Sequence, residues 1–165
     1  MEFRELGRSG LRISMLSLGT MTFGGKDNFG ALGSTDVSGA RRQIGMAMDA
    51  GVNCVDTADM YSAGAAEEIL GEAIEGRRDQ LVISTKVRMP AGDGPNDAGL
   101  SRHHIIRQLE GSLQRLRTDY VDIYHVHEWD GQSRHLWRRR SRHWTHWCGQ
   151  ARSAISASRT TADGS

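Results

Sequence analysis

Three short apolar runs that each lead into a polar residue constrain the fold of this chain more than any other feature. The runs are VNCVD, LVIST and VDIYHV; they lead into Asp56, Lys86 and His127, and Tyr61 lies just after the first run. Continuous apolar runs are typical of parallel strands that are buried on both faces. Because the carboxyl ends of such strands meet at one mouth, the acid, phenol, ammonium and imidazole are expected to gather there.

The rest of the N-terminal part predicts elements that fit such a sheet. GRSG between FREL and LRIS predicts a hairpin, and MLSLG predicts the first parallel strand, followed by a loop over residues 19–33. Apolar residues at helical spacing predict helices, the first capped by Ser34 or Thr35, one over residues 65–74, and one capped by Ser101. Strand followed by helix, repeated along the chain, indicates an α/β barrel or a doubly wound sheet.

Size and charge limit these possibilities. A chain of 165 residues with 38% hydrophobic content can bury one core. Eight strand–helix units need about 250 residues, so the chain could supply only about half of a closed barrel. The net charge of +1 suggests neither a nucleic acid nor a membrane as partner.

Cysteine content and the N-terminus favour a cytoplasmic protein. Cys54 and Cys148 are the two cysteines, too few for a disulfide framework, which fits a reducing compartment. The opening MEFRELGRSG is charged and no apolar signal segment follows, so no secretory signal is expected. A run of about 18 apolar residues, as a membrane span requires, is also absent from the sequence.

Four segments together resemble the aldo-keto reductase family, in the order and approximate spacing of that family. They are LSLGTMTFGG, GVNCVDTADMYSAGAAEEILGEAI, LVISTKV and DYVDIYHVHEWDG, and DTADMY followed by EEILGEAI is the most specific piece. The resemblance implies a (β/α)8 TIM barrel. We therefore expect an incomplete barrel over residues 1–131, with an N-terminal hairpin and about four βα units, followed by an irregular tail over residues 132–165.

The resemblance also implies reduction of a small aldehyde or ketone by hydride from NADPH, with defined roles for the four polar residues. Tyr61 would protonate the carbonyl oxygen. A phenol that titrates near pH 10 is a poor acid at neutral pH, so a neighbouring cation is needed, and Lys86 matches that role. Asp56 would hold Lys86, and His127 would orient the carbonyl. His125 is the alternative to His127, because it shares a strand face with it.

Further residues would line the cofactor and substrate sites by the same resemblance. Gly19, Thr20 and Met21, together with Asp56, match the segment beside the nicotinamide and ribose, whereas Phe23 and Met60 match apolar substrate walls, next to Tyr61 and His127. GTMTFGG is not a GxGxxG motif, so a dinucleotide-binding sheet gains little support.

Structural roles remain open for each of the catalytic candidates. Asp56 could be only a strand-end cap, Lys86 a solvated lysine at a strand end, and Tyr61 a packing aromatic in a loop. The sequence predicts neither the particular carbonyl substrate nor an oligomeric state.

After Gly131 the chain departs from the family pattern. From Ser133 onward it has seven arginines and one acid, a charge of +6 against −5 for the remainder, and no helical or strand periodicity. Suitable codons for residues 136–165, read one register over, can spell a helix and the strand KVRYIGVSN, the expected continuation. We therefore interpret residues 132–165 as an out-of-frame, disordered tail and the chain as truncated and impaired in NADPH binding; the coding DNA would test this.

The composition of the tail suggests two binding functions as alternatives to catalysis. His143, His146 and Cys148 lack the paired spacing of known zinc sites. Arginines interleaved with three tryptophans could bind RNA or anionic lipid with steep salt dependence. The alternative to a reductase is therefore a non-catalytic half-barrel fragment or a binding module that uses this basic tail.

Overall fold

The structure, a computed structural model, describes residues 1–131. An antiparallel hairpin of β1 (Phe3–Glu5) and β2 (Arg12–Ser14) comes first. Strands and helices then alternate in the order β3 (Leu18–Gly19), α1 (Val37–Asp49), β4 (Cys54–Asp56), α2 (Ala65–Ala73), β5 (Val82–Val87), α3 (Arg102–Arg115) and β6 (Ile123–Val126). Short turns of 3₁₀ type lie at Asp27–Phe29, Tyr61–Gly64 and Arg78–Gln80.

The four strands β3 to β6 form one parallel sheet in chain order. Each of the three helices connects one strand to the next, as in the βαβ units of an α/β fold. The predicted hairpin and the parallel strands are therefore confirmed. The structure thus has an α/β fold with a parallel sheet, and the helix expected after the fourth strand lies outside the described residues.

The two faces of the sheet are covered differently. The main core forms on the helix side, where Val55, Ile83 and Tyr124 from three neighbouring strands pack with α1, α2 and α3. On the other face, the first residues of β4, β5 and β6 form a small apolar cluster with hairpin side chains; its members are Cys54, Val82, Ile123, Leu6, Leu11 and Ile13. The hairpin therefore covers the amino ends of the strands and leaves their carboxyl ends to the polar residues.

The start of α1 corrects a predicted cap. Asp36, not Ser34 or Thr35, is the N-cap, and its carboxylate accepts a hydrogen bond of 2.8 Å from the Gly39 amide. Thr35 has an extended backbone that pairs with Phe23, and its amide donates a hydrogen bond of 3.0 Å to the carbonyl oxygen of Thr22. The tertiary pairing thus places the N-cap one residue after Thr35 and two after Ser34.

Other helix ends agree with the sequence. Gly51 follows α1 with a φ of +85°, the left-handed conformation that glycine adopts without strain. Ser101 caps α3 by accepting a hydrogen bond from the His104 amide at 3.1 Å. The helix predicted over residues 65–74 ends at Ala73.

The predicted boundary at residue 131 and the interpretations of the tail, namely the altered reading frame, the zinc cluster and the arginine–tryptophan surface, fall on residues 132–165 and lie outside the described residues. Among residues 1–131, no helix has both the length and the apolar character needed to cross a membrane.

Candidate active site

The carboxyl edge of the parallel sheet brings the predicted polar residues together. Asp56 is the last residue of β4, Lys86 is the next-to-last residue of β5, and His127 follows β6 directly. In the strand register, Asp56 lies opposite Ser84 and Lys86 lies opposite His125. Since alternate residues of a strand share a face, these side chains project from the face opposite the helices.

The Lys86 ammonium is the centre of this group. Its Nζ donates to Asp56 Oδ2 at 2.5 Å and to the carbonyl oxygen of Thr57 at 2.8 Å. It also lies 3.3 Å from the Tyr61 hydroxyl and 4.9 Å from the centroid of the Tyr61 ring. Because an ammonium has three donors, these contacts fix its orientation beside the phenol.

Asp56 is itself anchored from both neighbouring strands. Its second carboxylate oxygen accepts a hydrogen bond from the Ser84 hydroxyl at 2.9 Å. Its backbone carbonyl accepts from the amide of Thr20 at 3.0 Å and from the Thr20 hydroxyl at 3.2 Å. Ser84 was not predicted, although its position two residues before Lys86 on the same strand face was a usable signal.

Aromatic contacts hold the Tyr61 ring, which is 8% exposed. The Phe29 ring lies 5.6 Å away between centroids, tilted by 56°. The His127 ring lies 6.0 Å away in an edge-to-face arrangement of 82°. These distances are within the range of favourable aromatic pairs, so the ring is positioned independently of its hydroxyl.

The backbone turns sharply immediately after Tyr61. Ser62 and Ala63 have φ values of 51° and 53°, a left-handed conformation that costs residues with a Cβ about 1 kcal/mol or more each. The buried Ser62 hydroxyl donates to the carbonyl oxygen of Phe23 at 2.8 Å, and Gly64 completes the turn at a φ of 90°. This strained turn lets α2 begin at Ala65 while Tyr61 stays at the strand ends.

His127 contacts Tyr61, and its surroundings favour the neutral imidazole. Burial, and then the positive charge of Lys86, lower its pKa below the usual value for histidine. Its Nδ1 atom is buried, and no hydrogen-bond partner for it lies within residues 1–131. A neutral imidazole has one N–H donor and one acceptor nitrogen, the two groups through which a histidine can hydrogen-bond a bound molecule.

His125, the alternative to His127, lies two residues earlier, within β6. It is paired in register with Lys86, and burial is the main cause that lowers its pKa. The aromatic contact with Tyr61 is made by His127. Geometry thus favours His127 as the imidazole next to the phenol.

The three residues predicted beside the cofactor have different surroundings. Gly19 is exposed opposite Asp56, and no atom lies within 4 Å of the place where a Cβ would stand. Met21 is 43% exposed, but Thr20 is fully buried with its hydroxyl bonded to the Asp56 carbonyl oxygen. Gly19 therefore has open space beside it, whereas the Thr20 side chain is not available to a bound group.

The two residues predicted as substrate walls, Phe23 and Met60, differ in burial. Phe23 is 0% exposed and belongs to the main core, because its pairing with Thr35 turns it inward. This corrects the expectation that Phe23 would contact a substrate. Met60 is partly buried against the core, next to Tyr61 in the chain.

Two buried acids near the site were not predicted. Asp59 is 8% exposed; burial, and then the negative charge of Glu67, raise its pKa to about 7. Glu67 is fully buried on α2, where it bonds Thr85 and Arg115. The sequence held a signal for Glu67, because it lies three residues before Leu70 on the buried stripe of α2.

Comparisons with curated proteins give relatives that are longer than this chain. A rice protein (Oryza sativa subsp. japonica) named as a probable voltage-gated potassium channel subunit beta is 46% identical over 79% of this chain and 38% of its own length. An uncharacterised oxidoreductase of Bacillus subtilis, YrpG, is 45% identical over 79% of this chain and 41% of its own. The chain thus spans about two fifths of the length of these relatives.

Solved structures and a family model agree with each other. An aldo-keto reductase from Bacillus halodurans in its holo form matches with a TM-score of 0.70 and 29% identity, over 96% of this chain and 51% of the other. The barrel of such neighbours is the (β/α)8 fold of which this parallel sheet is a part. The model of the aldo/keto reductase family matches residues 15–147. On this match, the chain belongs to the aldo/keto reductase family.

Proposed function

We propose that this chain carries the catalytic side chains of an NADPH-dependent reductase that converts a small aldehyde or ketone to an alcohol. The single observation that supports this most strongly is the Lys86 ammonium, which bridges the Asp56 carboxylate and the Tyr61 hydroxyl. A lysine that was only solvated at a strand end would not be expected to contact both a carboxylate and a phenol. Family membership supports the coarser reaction class, an oxidoreductase.

In the proposed reaction, each of the four residues has one task. A reduced nicotinamide, when bound, would supply hydride to the carbonyl carbon. Tyr61 gives its phenolic proton to the carbonyl oxygen, and the Lys86 ammonium at 3.3 Å stabilises the negative charge left on the phenol oxygen. Asp56 holds the ammonium in place, and the neutral His127 directs the carbonyl oxygen toward Tyr61 through a hydrogen bond.

The residues present fit one end of a nicotinamide cofactor. Gly19 leaves open space beside Asp56 at the strand ends, where a Cβ would narrow it. Gly19, the backbone of Thr20, Met21 and Asp56 would then lie along the nicotinamide and its ribose. From the family resemblance we propose NADP(H) rather than NAD(H) as the cofactor. We also propose that the protein is cytoplasmic and that this chain binds NADPH weakly.

The names of the relatives support no choice between a reductase and a channel-associated protein. The relative named as a channel subunit and the one named as an oxidoreductase have nearly equal identity, 46% and 45%. We propose the reductase because all four chemical groups that carbonyl reduction needs are present with suitable contacts.

The test uses the full chain. Circular dichroism must first show a cooperative thermal transition. At millimolar NADPH, we expect slow oxidation of NADPH that depends on an added small aldehyde, and a weak, saturable change in NADPH fluorescence. The Lys86→Met variant is expected to lose the oxidation while it keeps the fold. Oxidation that survives this substitution, or its absence from the parent, would contradict the proposal.

A further inference from the structure

An ion pair between the fully buried Glu67 and the partly exposed Arg115 lies directly behind the site, on the helix side of the sheet. Glu67 of α2 is 0% exposed, and its two oxygens have different partners. One accepts a hydrogen bond of 2.6 Å from the Thr85 hydroxyl on β5, and the other accepts one of 2.7 Å from Arg115 Nε at the end of α3. A single carboxylate therefore connects one strand and two helices.

The three connected elements carry or border the catalytic pair. Thr85 immediately precedes Lys86 on β5, with its side chain on the opposite face. Arg115 packs against the turn that follows Tyr61, since a Cβ at Gly64 would lie 2.9 Å from Arg115 Cδ. A movement of Glu67 would thus be transmitted to both the strand of Lys86 and the turn of Tyr61.

Stability alone is a weak reason for a buried acid at this position. Burying the Glu67 carboxylate costs several kcal/mol before its attraction to Arg115 repays it, and apolar residues of similar volume often stabilise as well or better. Leu70, one turn later on the same stripe, is such an apolar residue and is also 0% exposed. Unlike a leucine, Glu67 makes directional hydrogen bonds, which fix the positions of particular atoms on β5 and α3.

We propose that Glu67 is a positioning residue, which sets the separation of the Lys86 amine and the Tyr61 hydroxyl through its bonds to Thr85 and Arg115. The inference rests on the proposed function for its kinetic consequence. A backbone contact across the same junction, from the Asp59 amide to the Lys86 carbonyl oxygen at 3.3 Å, reports on this separation without any need for turnover.

The experiment removes the hydrogen bond between Thr85 and Glu67 and preserves the shape of the side chain at position 85. Thr85→Val deletes the hydroxyl at nearly constant volume and leaves the Glu67–Arg115 pair intact, and Thr85→Ser restores the donor. Ile83→Val is the matched control, since Ile83 is fully buried on the same face of β5 and contributes only packing. Each full-length variant is compared by thermal melting, kcat and KM with a small aldehyde, and amide exchange at Asp59.

Thr85→Val is expected to lower kcat about tenfold with little change in KM, because a small misplacement of a catalytic group is costly in rate. Thr85→Ser is expected to recover most of this loss, whereas Ile83→Val, at a similar melting temperature, keeps the parent kcat. Equal loss of kcat in Thr85→Val and Ile83→Val would overturn the proposal.

If the parent shows no turnover, the proposed function is contradicted. The positioning role of Glu67 is then tested by amide exchange alone. Faster exchange of the Asp59 amide in Thr85→Val than in Ile83→Val then supports the role of Glu67. Equal exchange in the two variants overturns it.

Discussion

The Lys86 ammonium approaches the Tyr61 hydroxyl to 3.3 Å across 25 residues of chain. It does so from β5, while Phe29 and His127 hold the Tyr61 ring from other sides. The hydroxyl and the ring therefore have separate supports. This separation means that the chemistry of Tyr61 can be removed without disturbing its packing.

Tyr61→Phe is expected to lower the rate of carbonyl-dependent NADPH oxidation by about 100-fold or more, because the proton donor is lost. The melting temperature should change little, since the ring contacts remain. Kinetics of the purified variant and its thermal melt check both statements. A variant that retains a large part of the parent rate would remove Tyr61 from the proposed role.

Substitution of the two histidines distinguishes them. His127→Asn is expected to reduce kcat/KM by about tenfold or more, because His127 is the imidazole in contact with Tyr61. His125→Asn is expected to have the smaller effect, since His125 lies opposite Lys86 and deeper in the sheet. Steady-state kinetics of both variants are the measurement, and the reverse order of effects would assign the role to His125.

The positions of Asp56, Lys86 and His127 could be predicted because they depend on local chain pattern. An apolar run identifies a buried parallel strand, and the residue at its carboxyl end has only one edge of the sheet on which to lie. Local capping preference likewise identified Ser101 at the start of α3. These features depend on a few neighbouring residues, so one sequence contains enough information.

Phe23 and Thr35 show where this reasoning stops. Their β-bridge joins positions on either side of a glycine-rich loop, and no periodicity marks that pairing. It buries Phe23, which was expected at a substrate wall, and it moves the cap of α1 to Asp36. Long-range contacts of irregular segments are decided by tertiary packing, which local patterns do not encode.

The raised pKa of Asp59, about 7, predicts a pH dependence of stability. Burial is the main cause, so the folded state favours the neutral acid, whereas the unfolded chain ionises near the ordinary value of 3.8. Between these values the folded state binds the extra proton, and the Asp59 contribution to stability falls as pH rises from about 4 to about 7, by roughly 1 kcal/mol per pH unit.

Urea unfolding at pH 5 and at pH 7.5 measures this effect. Asp59→Asn is expected to lose less stability than the parent between the two pH values, because it has no proton to release. Asp93→Asn, an exposed loop position, is the control and should follow the parent. The same pH slope in Asp59→Asn as in the parent would contradict the assignment.

Two helix glycines are expected to respond to alanine in opposite directions. A Cβ at Gly71 of α2 would lie 2.6 Å from the backbone carbon of Leu116, just after α3, which leaves no room for a methyl group. Gly71→Ala should therefore destabilise the fold by about 1–3 kcal/mol. Gly45 of α1 has no atom within 4 Å of that position, so Gly45→Ala should stabilise by about 0.5–1 kcal/mol through helix propensity. Urea unfolding of both variants decides the matter, and a neutral Gly71→Ala would mean that α2 and the end of α3 do not pack this closely.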